Sequence, residues 1–347
     1  MKIKAGLCIG YNGTGYSGLQ LNGDLNTIEK AIAECLFQCK AISECNAKDP
    51  SKIHLKSSSR TDKGVHAAYN LICCKIETEI TEKLFKDLKE LLAKKNINLY
   101  KILRLTKSFL PTKMTSSRIY EYVIPTFFLQ SSNFELEINQ LQEKDKKCDK
   151  FIKRAYGESD IKDVINYKCD SSGLDTFKNI FTKFLGTKNF HNFTTLSNPK
   201  GKERFIKNIN ISEPYIVNDI EYIRIEMEGQ SFLLHQIRKM TYFSILLSRY
   251  KRNDYELLFQ KAFSKEYLHI PKGPGQYLLL DRPIFMSIRD KGKMIDSLDI
   301  DVDEMVRYKK DIVYNLIHDR SNLYAFLACL DSSRYHNEKL EYLKNNK

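Results

Sequence analysis

The spacing of apolar residues changes along the first 105 positions in an order that few folds can accommodate. Ile3, Ala5, Leu7 and Ile9 alternate, as in a strand with one face buried. A helix follows, with Asn26 at its cap, Glu29 three residues on, and Ile28, Ile32, Cys35, Leu36 and Cys39 along one stripe. Extended stretches at 53–59 and 69–76 flank the polar segment Arg60-Thr61-Asp62-Lys63-Gly64. A second helix starts near Thr81 and carries Leu84, Leu88, Leu91 and Leu92, and period two returns at Ile97, Leu99, Leu103 and Leu105. The order is β-α-β-β-α-β, the ferredoxin-like pattern. Strands at 118–124, 205–211, 222–227 and 278–280, with helices at 175–185 and 234–250, repeat that order. The expected class is α+β, with ferredoxin-like halves at 1–112 and 113–290. A charge-rich insertion at 130–170 interrupts the second half, and a helical extension occupies 291–347.

Lys and Arg total 56 against 43 Asp and Glu, a net charge of +13, which favours a polyanionic partner. Hydrophobic residues at 42% exclude wholesale disorder, and 15 Gly with 8 Pro are too few for a fibrous chain. No apolar run reaches the roughly 18 residues of a membrane span, and no signal-peptide core follows Met1. Nine cysteines without a CxxC pair read as buried free thiols in a reduced compartment, not as a zinc site or a disulfide framework. Between Lys178 and Asn208 stand seven cations and one anion, interleaved with Phe190, His191, Asn192 and Phe193. Cations among aromatics fit an RNA surface better than a plain solvated face.

Gly13-Thr14-Gly15-Tyr16-Ser17-Gly18 formally matches GxGxxG after a strand. A dinucleotide site needs the third glycine to open a helix, and here Leu19 to Asp24 intervene, so the segment reads as a loop. Arg60-Thr61-Asp62-Lys63-Gly64-Val65-His66-Ala67 contains ordinary turn chemistry. It also sets a carboxylate between two cations, which keeps it ionised as a nucleophile or electrostatic stabiliser requires.

That segment resembles the signature around the catalytic aspartate of the TruA-type tRNA pseudouridine synthases. Its lysine after the aspartate is similar to the eukaryotic branch, where bacterial members usually carry alanine. Four further blocks resemble the family in order: residues 11–20, Arg118-Ile119-Tyr120-Glu121-Tyr122, Asn189-Phe190-His191-Asn192-Phe193-Thr194, and residues 229–240 with His235-Gln236-Ile237-Arg238-Lys239-Met240. The resemblance covers about residues 1–285 and implies two ferredoxin-like halves joined in one extended, mostly antiparallel sheet with a central catalytic cleft.

It implies Asp62 as nucleophile and Tyr120 as the tyrosine beside the target base and a general-base candidate, with Tyr122 next in line. Arg238 is implied as the basic partner of the aspartate, and Arg60 as the arginine that displaces the base. Thr61, Lys63, His66, Lys188, His191 and Asn192 are the further RNA-binding candidates. Leu278 is a pocket-wall candidate, although Gln276 and Tyr277 stand where the family has Leu and Gly. No metal or organic cofactor is implied. The expected activity is conversion of uridine to pseudouridine in tRNA, in or next to the anticodon stem-loop, and by resemblance to the nuclear branch in other structured RNAs. A nuclear monomer is expected, with a homodimer as the alternative. Two rivals stay open: a non-catalytic RNA-binding or RNA-chaperone protein on the same scaffold, and a paralogue specific for anticodon-loop uridines.

Overall fold

A computed structural model of the chain describes residues 2–138, 156–162, 165–195, 200–285 and 300–344. Residues 139–155 and 163–164 of the insertion expected at 130–170 lie outside these residues. The chain forms two compact units, one of residues 1–121 and 278–317, the other of 122–277 and 318–347. Both are discontinuous. The strand expected at 278–280 as part of the second half belongs to the first unit, and the C-terminal residues are divided between the units instead of forming a separate extension. The α+β class and the mostly antiparallel strand pairing are as expected. No helix among the described residues is long and apolar enough to cross a membrane.

In the first unit, strands β1 (Ile3–Tyr11), β2 (Lys56–Ser57), β3 (His66–Ile76) and β4 (Ile97–Arg104) alternate with helices α1 (Ile28–Gln38) and α2 (Glu82–Ala93) in the predicted order. β1 pairs antiparallel with both β3 and β4, so almost every residue of it is buried and its alternation does not mark a wet face. β2 is only two residues long and meets β3 at Cys73 and Ile72. Residues 58–65 then leave the edge of β3, and the late strand β10 (Leu278–Phe285) fills that edge in parallel, Leu279 opposite His66 and Leu280 opposite Ala67. β5 (Thr115–Pro125) follows β10 in the sheet. The cap of α1 is Thr27, whose side chain accepts from Lys30 N at 3.3 Å. Asn26, predicted for that role, is held by the glycine-rich loop: its side chain donates to Gly15 O and its carbonyl accepts from Ser17 N.

The second unit has β6 (Gly186–Asn189), β7 (Glu203–Ile211), β8 (Tyr215–Val217) and β9 (Ile220–Gly229), with β7 between β6 and β9 and β8 on β9. Helices α3 (Ser171–Thr182), α4 (Gln236–Arg249) and α5 (Tyr255–Phe263) enclose a phenylalanine core of Phe177, Phe181, Phe184, Phe190, Phe193, Phe243, Phe259 and Phe263. Phe190 and Phe193 are fully buried there, so the aromatics that seemed to suit base stacking are core residues.

The C-terminal residues build both units. Helix α6 (Val302–Tyr308) lies against β3 and β4 of the first. Helix α7 (Leu323–Tyr335) completes the core of the second, with Phe326 packed on Tyr122, Phe128 and Tyr277. Tyr277, the departure from the family pattern, thus fills space against a helix of this chain's own C-terminal segment.

Glu137 anchors the same region. It accepts from Arg249 and Tyr250 at 2.6 Å, from Arg334 at 2.9 Å and from Ser132 at 2.5 Å. Burial alone would raise its carboxyl, but Arg249, Arg334, Ser132 and Tyr250 outweigh burial and hold it at about 2, below the ordinary 4.5. A carboxyl depressed in the folded state stabilises fully above its unfolded pKa and loses that contribution as pH falls through the folded one. Glu137→Gln should therefore cost on the order of 3 kcal/mol at pH 7 and flatten the fall in stability between pH 4.5 and 2. Urea unfolding across that range would show the same slope in both proteins if the cluster contributed nothing.

Candidate active site

Asp62 stands on the loop that peels away from β3. Val65 N donates to Asp62 O at 3.1 Å, closing a turn that needs Gly64 at φ +77°. Asp62 is half-buried, with the exposed side chains of Arg60 and Lys63 on either side in sequence. The glycine-rich segment after β1 clamps this loop. Gly64 N donates to Tyr16 O, Leu19 N to Thr61 O at 3.1 Å, and Gly13 N to His66 Nδ1 at 3.2 Å. A Cβ on Gly13 would stand 2.1 Å from Val65 O, so only glycine allows this approach. The GxGxxG match is a bracket for the Asp62 loop.

Beneath the bracket lies a buried polar network. Thr61 Oγ1 and Tyr11 OH share a hydrogen bond at 2.8 Å, and Asn70 donates to Tyr11 OH and to Ser59 O. Ser58 Oγ donates to Asn70 at 2.7 Å and accepts from Leu71 N. Such a network fixes the loop's path because each member is oriented by the next.

β5 adds two ties. Tyr120 OH donates to Arg60 O at 3.3 Å, and Arg118, two residues earlier on the same face, donates through Nε and Nη2 to Ser58 O at 3.3 and 2.9 Å. Burial drives the Tyr120 phenol far above its ordinary value and Tyr11 pushes it further; Arg118 opposes this, and the smaller effects of Asp62, upward, and Ser59, downward, follow. Tyr120 is a neutral phenol at physiological pH, with a hydroxyl that can donate. Leu278, buried at the start of β10, sits beside the His66 end of β3. The first unit thus brings together a carboxylate, an exposed guanidinium, a neutral phenol and an apolar wall.

Other predicted residues have internal duties. Thr61 and His66 are buried within the bracket. Asn192 is 3% exposed and donates to Ala262 O and Glu266 O while accepting from Leu268 N, so it pins the segment at the end of α5. His191 Nε2 meets the same Glu266 carbonyl at 3.2 Å. Tyr122 is fully buried in the second unit and donates to Pro274 O at 2.6 Å. Arg238, in the first turn of α4, donates through Nε to Gly273 O at 2.7 Å, and Gly273 N returns a bond to Arg238 O. The reciprocal pair fixes the base of its side chain.

The cation-rich stretch also changes character. Lys178 pairs with Glu213, Lys183 with Glu256 and Lys207 with Glu228, while Lys188 lies over the Phe263 ring at 5.4 Å. Glutamates distant in sequence offset a charge that a linear count leaves bare. The residues with no role assigned from sequence were Arg118 and Asn70. Arg118 carried a signal, a cation at i−2 to the tyrosine on one strand face. Asn70 carried none, being one polar residue in an apolar strand. Among the described residues, no group of three or more His, Cys, Asp or Glu side chains is placed to hold a metal ion.

The family model described as tRNA pseudouridine synthase matches residues 180–272. A protein of Kluyveromyces lactis named tRNA pseudouridine synthase 1 is 31% identical, over 95% of this chain and 70% of its own length. The proteins of that name from Saccharomyces cerevisiae and Schizosaccharomyces pombe are 33% and 27% identical, over 82% and 99% of this chain and 61% and 86% of their own lengths.

Proposed function

The chain belongs to the tRNA pseudouridine synthase family, and from that premise we propose that Asp62 is the nucleophile with which it converts uridines of tRNA to pseudouridine. The reaction breaks the bond from ribose C1′ to uracil N1 and joins C1′ to C5; C5 gives up its proton and N1 takes one up, so no proton is gained or lost overall. Nothing is oxidised, reduced or hydrolysed overall, so the balance calls for no co-substrate. The observation that carries the reading is a half-buried aspartate on a clamped loop, flanked by Arg60 and Lys63, with the Tyr120 hydroxyl bonded to that loop at Arg60 O.

Each group has a role in this scheme. Arg60 replaces the stacking that a displaced base loses, a cost of a few kcal/mol that a planar cation can offset. Tyr120 supplies a ring face and a hydroxyl donor in its protonated form. Leu278 walls the uracil, and Arg238 serves as a second cation of the reaction. Lys63 and Lys188 meet phosphates, as does Lys202, a half-exposed member of the cation-rich stretch at 178–208. The substrate uridines lie in or next to the anticodon stem-loop, with other structured RNAs as further substrates. The enzyme works as a nuclear monomer, a reading supported by the eukaryotic-like lysine after Asp62.

Incubation with tRNA transcripts, followed by mapping of pseudouridine at nucleotide resolution, tests both levels. Product in the anticodon stem-loop is expected. Product confined to other arms overturns the substrate position, and no product in any tRNA overturns the activity. Lys188→Ala with Lys202→Ala should weaken tRNA binding several-fold at low salt and reduce the log–log salt slope by about two, with kcat unchanged. An unchanged slope would remove these lysines from the RNA surface.

A further inference from the structure

We propose that Lys309, in the C-terminal segment, is a positioning residue of this reaction: one ammonium ties the carboxylate beside Tyr120 on β5 and the one near Leu278 on the neighbouring β10 to the C-terminal segment, and so holds the face of the two strands that carry these groups. Lys309 Nζ donates to Glu121 Oε1 at 2.6 Å and to Asp281 Oδ1 at 2.5 Å. Glu121 follows Tyr120 directly, and Asp281 lies three residues after Leu278. The two carboxylates are essentially inaccessible, at 2% and 1% side-chain exposure, and the lysine is at 17%. Two buried anions contacting one ammonium make a joint that can neither drift nor lose its cation without leaving charge uncompensated.

The backbone is shaped for this contact. Residues Lys309–Tyr314 form a π-helical turn directly after α6. In an α-helix, residues five apart point about 140° away from each other. The wider turn brings Lys309 and Tyr314 to one side, where Tyr314 OH donates to Glu121 Oε2 at 2.5 Å. Irregular turns of this kind frequently accompany functional sites. The charged and titratable groups facing the joint are Glu121 from β5, Asp281 and its neighbour Arg282 from β10, and Tyr314 from the C-terminal segment. None of them extends to the Asp62 loop, so the bridge acts through the strands and not on the substrate.

The inference rests on the assignment of Tyr120 and Leu278 to the reaction, and the experiment separates the two. Steady-state kinetics on tRNA would compare wild type, Lys309→Met and the charge-balanced Lys309→Met/Glu121→Gln, with Asp62→Ala as reference. Lys309→Met should lower kcat about tenfold or more while KM stays within twofold, since small displacements in a reacting geometry cost rate more than binding. The pH dependence of its rate should also change, because Glu121 and Asp281 lose the cation they share while Asp281 keeps only Arg282. The double variant should lose that change and keep the low kcat. A folded Lys309→Met with wild-type kcat and pH profile overturns the proposal. If that variant does not fold, wild-type kcat in the double variant overturns it equally. Activity in Asp62→Ala would instead overturn the reading of the site itself.

Discussion

Asp62→Ala should reduce pseudouridine formation by at least about 10³-fold, the scale expected when a covalent nucleophile is removed, with tRNA affinity held within a few-fold. Asp62→Asn keeps the shape and removes only the charge, so an equal loss would assign the effect to the carboxylate. The bracket's bonds from Leu19 N to Thr61 O, from Gly64 N to Tyr16 O and from Val65 N to Asp62 O are made by backbone atoms, which neither substitution removes. Product formation within tenfold of wild type in either variant, at equal folded fraction, would overturn the nucleophile assignment. Binding read by filter retention or anisotropy at fixed salt keeps the chemical step apart from RNA capture.

Gly13→Ala should be the most damaging substitution outside the reacting groups. Its new methyl would meet Val65 O at 2.1 Å, Val65 C at 2.6 Å and Val65 N at 2.9 Å, all backbone atoms of the Asp62 loop. Neither side can yield without breaking the bond from Gly13 N to His66, so a loss above about 3 kcal/mol is expected, with a matching fall in melting temperature. Gly15→Ala is the control. Gly15 has φ +81° but no atom within 4 Å of the added methyl, so its cost should be about 1 kcal/mol of backbone strain. Equal losses at the two positions would mean that the bracket does not hold the loop. In the fraction of Gly13→Ala that remains folded, kcat should fall more than KM rises, because the loop carries Asp62.

The element order was legible because it is local. Thr81 caps α2 as predicted, and β1, β4 and β5 fall within a few residues of their apolar patterns. The cap of α1 was misplaced by one residue because Asn26 answers to a loop eleven residues away, which no helical pattern records. The stretch at 53–59 collapsed to a two-residue strand because Pro50–Ile53 turn as a 3-10 helix and His54 takes φ +53°, while at the other end Asn70 takes the Ser59 carbonyl. In the second half, Phe190 and Phe193 looked like stacking residues beside lysines. They went inside because the helices around them supply five more phenylalanines and the turn after α3 adds Phe184.

The candidate site divides in the same way. Arg60, Asp62 and Lys63 are contiguous, so their chemistry could be argued from adjacency alone. That Thr61, His66 and Asn192 are internal fasteners required knowing their partners. The neutral state of Tyr120 required knowing its burial.

From sequence alone came the α+β order, the basic character, and the motif that sets an aspartate between two cations. Each is a property of residues near one another in the chain, where spacing and charge fix the outcome. Tertiary structure decided which cations stay uncompensated, which aromatics are core, and where the C-terminal residues belong. Lys309 meets Glu121 from 188 positions away, and β10 pairs with a strand some two hundred residues earlier. Contacts of that range depend on which buried carboxylate needs a cation and which sheet edge stands open. Those needs exist only once the chain is folded.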